Sequence, residues 1–199
     1  MDWKHKVDEC CAFELEEMII DEIKAGFLSN DEIQEQCETY IEENYPDLEQ
    51  ISGEELSEII EEYRMKLQYT GEEKNFLQLD RAFHSMEEQG IVTLHCAGYT
   101  QSDGFDDCRE IASERCENGD KVVGCCFYTM QDLEHILHEE SKLLHLSFGN
   151  CFDNPTAEEV GQMIAGELRH AGFSVQWDGT ADRKIAIENF EWDKQFINT

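Results

Sequence analysis

The apolar residues of this 199-residue chain change their spacing near Lys74, and that change constrains the fold more than any other feature. Before it they recur every three or four positions. Val7, Cys11, Leu15, Met18, Ile19 and Ile23 form one stripe, and Ile33, Cys37, Tyr40 and Ile41 a second. Leu56, Ile59, Ile60, Tyr63 and Leu67 form a third. This period lays an apolar face along each of three helices. Gly26 is placed to end the first, and Pro46 closes the second. Ser29 with Glu32, and Ser52 with Glu55, have the spacing of capping boxes that open the second and third. Three short helices bury little surface alone, so residues 1–73 are expected as a helical acidic part packed on the rest.

After Lys74 short apolar runs alternate with helical stripes. Phe76, Leu79, Phe83 and Met86 mark a helix stopped by Gly90, and Ile91–His95 reads as a strand. Tyr99–Asp107 is polar and turn-rich, and Cys108–Cys116 reads as a helix. Lys121–Tyr128 is apolar at nearly every position, which predicts a central strand. Met130–His138 is a short helix and Leu143–Phe148 a strand. Thr156 opens the clearest helix, with Ala157, Val160, Ile164, Leu168 and Ala171 inward and Gly172 as its cap. Ser174–Trp177 and Lys184–Ile187 flank Asp178-Gly179 as a hairpin. The expected class is α+β, close to α/β: a mixed sheet of about five strands with packed helices over residues 74–199, after the helical N-terminal part.

Charge narrows the partners. The net charge is −31; residues 1–73 carry 23 acidic against 5 basic side chains, and the remainder 23 against 10. This field repels nucleic-acid phosphate and anionic lipid, so neither nucleic acid nor membrane is an expected partner. It attracts a basic protein. The nine cysteines are odd in number and include no CxxC pair. With no apolar signal core in Met-Asp-Trp-Lys-His-Lys, and no run of about 18 apolar residues, they predict free thiols and a cytoplasmic location.

Four patterns are candidates for chemistry. Tyr128, Gln131 and Asp132 follow the expected central strand, where sheets of this kind gather a donor, an amide and a base. Thr129 and Asp132 also have capping-box spacing, which would make Asp132 a helix cap alone. His135 and His138 with Glu134 and Glu139 could share a metal, but Met130, Leu133 and Leu137 put the histidines on the solvated side. Cys96, Cys108 and Cys116 with His95 could form a thiol site, although an acidic field disfavours the thiolate even beside Arg109. Gly98–Gly104 reads as an exposed, shaped loop carrying Tyr99 and Asp103. No phosphate cradle, GxSxG, HExxH or dinucleotide fingerprint occurs. No cofactor and no metal are expected.

From Phe76 to Trp192 the succession GIVTLH, GYTQSDG, CCFYTMQDLE, LLHLSFG, LRHAGFSVQWDGT and KIAIENFEW resembles a bacterial family of uncharacterised proteins, a domain of unknown function. Its most specific pieces are FYxxQDxE (Phe127, Tyr128, Gln131, Asp132, Glu134) and WDG (Trp177, Asp178, Gly179). The resemblance implies a bacterial, cytoplasmic, single-chain α/β protein and supplies no activity.

The leading expectation is therefore a non-catalytic acidic binding module for a basic protein, in the manner of an immunity protein or inhibitor. The alternative is a small-molecule enzyme, such as a hydrolase, with Asp132 and Tyr128 as catalytic groups. Tyr99, Asp103, Gln131, Trp177 and Asp178 would then bind the substrate. A thiol or metal sensor is the third reading. A concave polar pocket would favour the enzyme, and a flat or convex acidic surface the binding module.

Overall fold

Among the described residues, six of the seven helices begin at a side chain that satisfies amides left open by the first turn. The computed structural model describes residues 3–4, 7–46, 51–67, 71–138, 140–152 and 154–196. Helix α1 (Glu9–Ala25) starts at Asp8, whose carboxylate accepts from the Cys10 and Cys11 amides at 3.0 Å each. It stops at Gly26, where φ is 74° and a Cβ would stand 3.1 Å from the Lys194 carbonyl oxygen. Complete capping boxes at Ser29 and Ser52 open α2 (Asn30–Asn44) and α3 (Gly53–Lys66).

These three helices, with the stretch from Asp193 onward, form one compact unit, and Lys74–Trp192 forms another. In the helical unit Leu15, Ile19, Ile33, Cys37, Ile59 and Ile60 share a single buried cluster. Its rim is polar: the Tyr40 and Tyr45 hydroxyls both donate to Glu14 Oε2, at 2.8 and 2.5 Å. Those two phenols hold the Glu14 carboxyl below its usual range. Gln195 ties the end of the chain to this unit by donating to Glu73 Oε1 and to the Gly71 carbonyl.

The second unit runs α4 (Asn75–Glu87), β1 (Ile91–Leu94), α5 (Gln101–Glu117), β2 (Gly124–Phe127), α6 (Met130–Leu137), β3 (Leu143–Asn150), α7 (Ala157–His170), β4 (Val175–Gln176) and β5 (Ile185–Glu188). The five strands form one sheet in the order β1-β2-β3-β5-β4. Among the described residues, only β1 and β2, joined through α5, are parallel; every other pairing is antiparallel. The fold is thus α+β with a mixed sheet, as the alternation of patterns implied. Strand β2 is interior, but the centre of the order belongs to β3, whose eight residues pair with β2 along one half and β5 along the other.

The polar stretch before Cys108 is not a loop. Helix α5 begins at Gln101, because Thr100 and Asp103 make a capping box that the two flanking glycines disguised. Gly104 lies inside the helix, where it lets α5 approach the sheet: a Cβ there would sit 2.2 Å from the Phe127 ring.

Side chains alternate across a strand, so the sheet has two distinct faces. Phe127, beside Gly104, marks the α5 face. Ser147 is the cross-strand partner of Phe127 and lies on that same face. His145, Ala186 and Gln176 follow it there through successive pairings. Phe148 points the other way, toward Gly161 of α7. Helices α4 and α7 pack on each other on the opposite side, whereas α5 lies over β1. Helix α6 contacts β3, and beside it the β3–β5–β4 part of the α5 face opens as a concavity at the level of Ser147.

Candidate functional site

That concavity is a pocket of about 580 Å³. Its floor is His145 and Ser147 from β3, Lys184 and Ala186 at the start of β5, and Gln176 from β4. Gln101, the first residue of α5, forms one side, and the connection between β4 and β5, from Trp177 to Arg183, forms another. The register sets its height: Ser147 pairs with Phe127, the last residue of β2, so the pocket opens beyond the carboxyl end of that strand. A volume of this size suits a small organic molecule.

Ser147 is 1% exposed, and its hydroxyl has no hydrogen-bond partner. A buried unpaired hydroxyl costs about 1–3 kcal/mol relative to a paired one. His145 is half-buried beside it, and burial lowers the pKa of its imidazole, keeping the ring neutral near pH 7. Lys184 Nζ reaches across to α6 and donates to Asp132 Oδ1 at 2.8 Å and Oδ2 at 2.9 Å. This ion pair closes the α6 side of the pocket.

Asp132 has a second task. It is the third residue of α6, accepts from the Thr129 amide and hydroxyl, and completes the capping box that starts the helix. The helix-cap reading of Asp132 thus holds, and the Lys184 bridge comes in addition.

On the hairpin, Trp177 packs edge-on against Phe148, with ring centroids 5.5 Å apart. Its indole N–H donates to the Thr180 carbonyl at 3.0 Å, which fixes the ring. Asp178 Oδ1 accepts from the Thr180 amide and hydroxyl, and these bonds hold its carboxyl below the usual range. Trp177 and Asp178 therefore line the pocket together, and Asp132 touches it through Lys184.

The remaining candidates lie elsewhere. Tyr128 is wholly buried and packs among Phe83, His95 and Trp192. Its hydroxyl meets His95 Nδ1 at 3.0 Å, and His95 Nε2 meets Asp80 Oδ1 at 3.3 Å. Burial raises the Tyr128 phenol far above its ordinary pKa. Tyr99 is exposed and donates to Glu134 of α6. Asp103 serves as the α5 cap, and its bonds to Thr100 lower its pKa. Gln131 is exposed on the first turn of α6.

No disulfide joins the nine cysteines, all of which lie among the described residues. Cys96 Sγ lies 3.6 Å from Met130 Sδ, and the ring nitrogens of His95 engage Tyr128 and Asp80. Burial pushes the Cys37 thiol up to about 12 and Cys151 up to about 11. His135 bonds Glu140 at 2.9 Å, and Glu139 lies outside the described residues. Among the described residues, no group of three or more His, Cys, Asp or Glu side chains is placed to hold a metal ion. Nor is any helix among them long and apolar enough to cross a membrane.

Sequence reasoning missed Ser147, His145, Gln176 and Lys184. A signal for the first two was present: Leu144-His145-Leu146-Ser147-Phe148 alternates apolar and polar residues, the pattern of a half-buried strand.

A model described as a domain of unknown function (DUF6891) matches residues 8–196, so the chain belongs to that family. No curated protein and no solved structure matches.

Proposed function

We propose that this member of the DUF6891 family binds a small polar molecule in the pocket on the α5 face of β3, β5 and β4. The observation that carries the reading is the Ser147 hydroxyl, buried in the pocket floor with its hydrogen-bonding capacity unspent. Native proteins pair such groups, and an exception inside a concavity marks where a ligand or an ordered water completes the set. A thermal-shift screen with a defined library of water-soluble metabolites tests this on the native protein and on Gln176→Trp. Gln176 is exposed on β4, so the larger ring obstructs the pocket without entering the core. At least one compound should stabilise the native chain and fail to stabilise the variant. Equal responses from both proteins across the library would reject the site.

A second reading rests on the helical unit. Asp31, Glu32, Glu35, Glu38, Glu42 and Glu43 on α2, with Glu54, Glu58 and Glu61 on α3, are all exposed. Such a surface would speed the encounter with a basic protein. Association rates measured across a salt series test it, because screening acts over roughly 8 Å at physiological ionic strength. A partner that is itself acidic, or a rate indifferent to salt, would end this reading.

A further inference from the structure

The uncharged groups around the buried Ser147 are able both to donate and to accept, and this balance specifies a ligand. A hydroxyl, a neutral imidazole and a carboxamide each offer both capacities. Ser147, His145, Gln101 and Gln176 supply these groups along the lining. The buried charge beside them is already cancelled, since Lys184 spends its donors on both oxygens of Asp132. The open charges, Arg183, Asp178 and Asp182, lie on the exposed hairpin connection, where water screens them.

Counting all five ionised groups, two positive and three negative, leaves the site at −1 within a chain of −31. A phosphate or carboxylate would have to enter against that field. An ammonium group would be drawn toward it, but the buried floor holds no unpaired anion to receive one. Trp177 has its single N–H committed to Thr180 and its ring edge, with that of Phe148, against Gly161 of α7, so it offers the pocket no polar side-chain group.

Neutral groups that both donate and accept complement a molecule rich in hydroxyls, each of which does the same. Resting on the pocket reading above, we infer that the ligand is an uncharged sugar, held by hydroxyl contacts to Ser147, His145 and the two glutamines. The pocket volume of about 580 Å³ accommodates one or two sugar rings.

The test is an NMR titration of the full chain with two sets of probes. One set is D-glucose, D-galactose, D-ribose, D-xylose and N-acetyl-D-glucosamine; the other is acetate, inorganic phosphate and methylammonium. At least one sugar should shift the amide signals of His145, Ser147 and Gln176 and the indole signal of Trp177 in a saturable way. Ser147→Ala should weaken that sugar roughly five- to tenfold, the worth of a buried neutral hydrogen bond. The melting temperature of Ser147→Ala should not fall, so lost binding cannot be put down to misfolding. Charged probes shifting those signals while sugars do not would overturn the sugar assignment and leave the pocket reading intact. Silence from both sets would also overturn it, and the Gln176→Trp comparison then decides the pocket reading on its own. Unaltered sugar affinity in Ser147→Ala would equally reject the proposed contact.

Discussion

Three residues at the pocket make separable predictions. Ser147 has no partner for its buried hydroxyl. Ser147→Ala removes that unmet need and should leave stability unchanged or raise it by about 1 kcal/mol, read from urea unfolding midpoints. A clear loss of stability would mean that the hydroxyl is paired in solution. Asp132 combines the cap of α6 with the bridge to Lys184. Asp132→Ala discards both and should cost about 2–4 kcal/mol, whereas Asp132→Asn keeps most of the cap and should cost about half as much. Equal losses would show that the cap contributes nothing and the ion pair all of the loss. His145 has a folded pKa below its ordinary value because it is buried. Below about pH 6.5 the unfolded chain binds the proton first, so stability falls as pH drops from there toward the folded pKa. An NMR titration of the His145 ring at or above pH 6.5 would contradict this.

At the scale of elements, legibility tracked how local each cause is. Ser29 with Glu32 and Ser52 with Glu55 sit three residues apart, and the structure contains both capping boxes. Thr100 with Asp103 is the same signal, yet the stretch reads as a loop because Gly98 and Gly104 flank it. What the sequence could not display is the reason for Gly104, which is the Phe127 ring 23 positions later. Gly104→Ala should therefore destabilise the protein by about 1–3 kcal/mol despite the better helix propensity of alanine. A neutral or stabilising result would mean that α5 can back away from β2. The pocket was obscured for a related reason. Its floor joins β3 to β5 and β4 across an order that departs from the chain, so neighbours in space are 30 to 40 positions apart in sequence. Trp177, Asp178 and Asp132 could be singled out as polar or aromatic residues near turns. Ser147 and His145 became meaningful only when the sheet showed which part of its face opens as a concavity. In the helical unit the apolar stripes do account for the core, and Ile59→Ala, at a fully packed position, should cost about 2–5 kcal/mol.

For the whole molecule the dominant quantity is the charge of −31, spread over both units. Like charges held in a folded chain repel one another, and salt screens that repulsion. The same field makes the pocket selective by sign, discouraging anions before any contact forms, while the ligand-facing groups inside it are neutral. Charge of this magnitude and a neutral, hydroxyl-matched site are compatible because the field is long-ranged and the recognition is short-ranged. The central claim is that the concavity on β3, β5 and β4 is a ligand site. It is tested most directly by recording the amide NMR spectrum of the isotopically labelled full chain with and without a protein-free metabolite extract. The account predicts saturable shifts concentrated at His145, Ser147, Gln176, Trp177, Lys184 and Ala186, and their disappearance in Gln176→Trp. Shifts that instead cluster around Tyr128 and His95, or on α2 and α3, with these six residues unmoved, would contradict it.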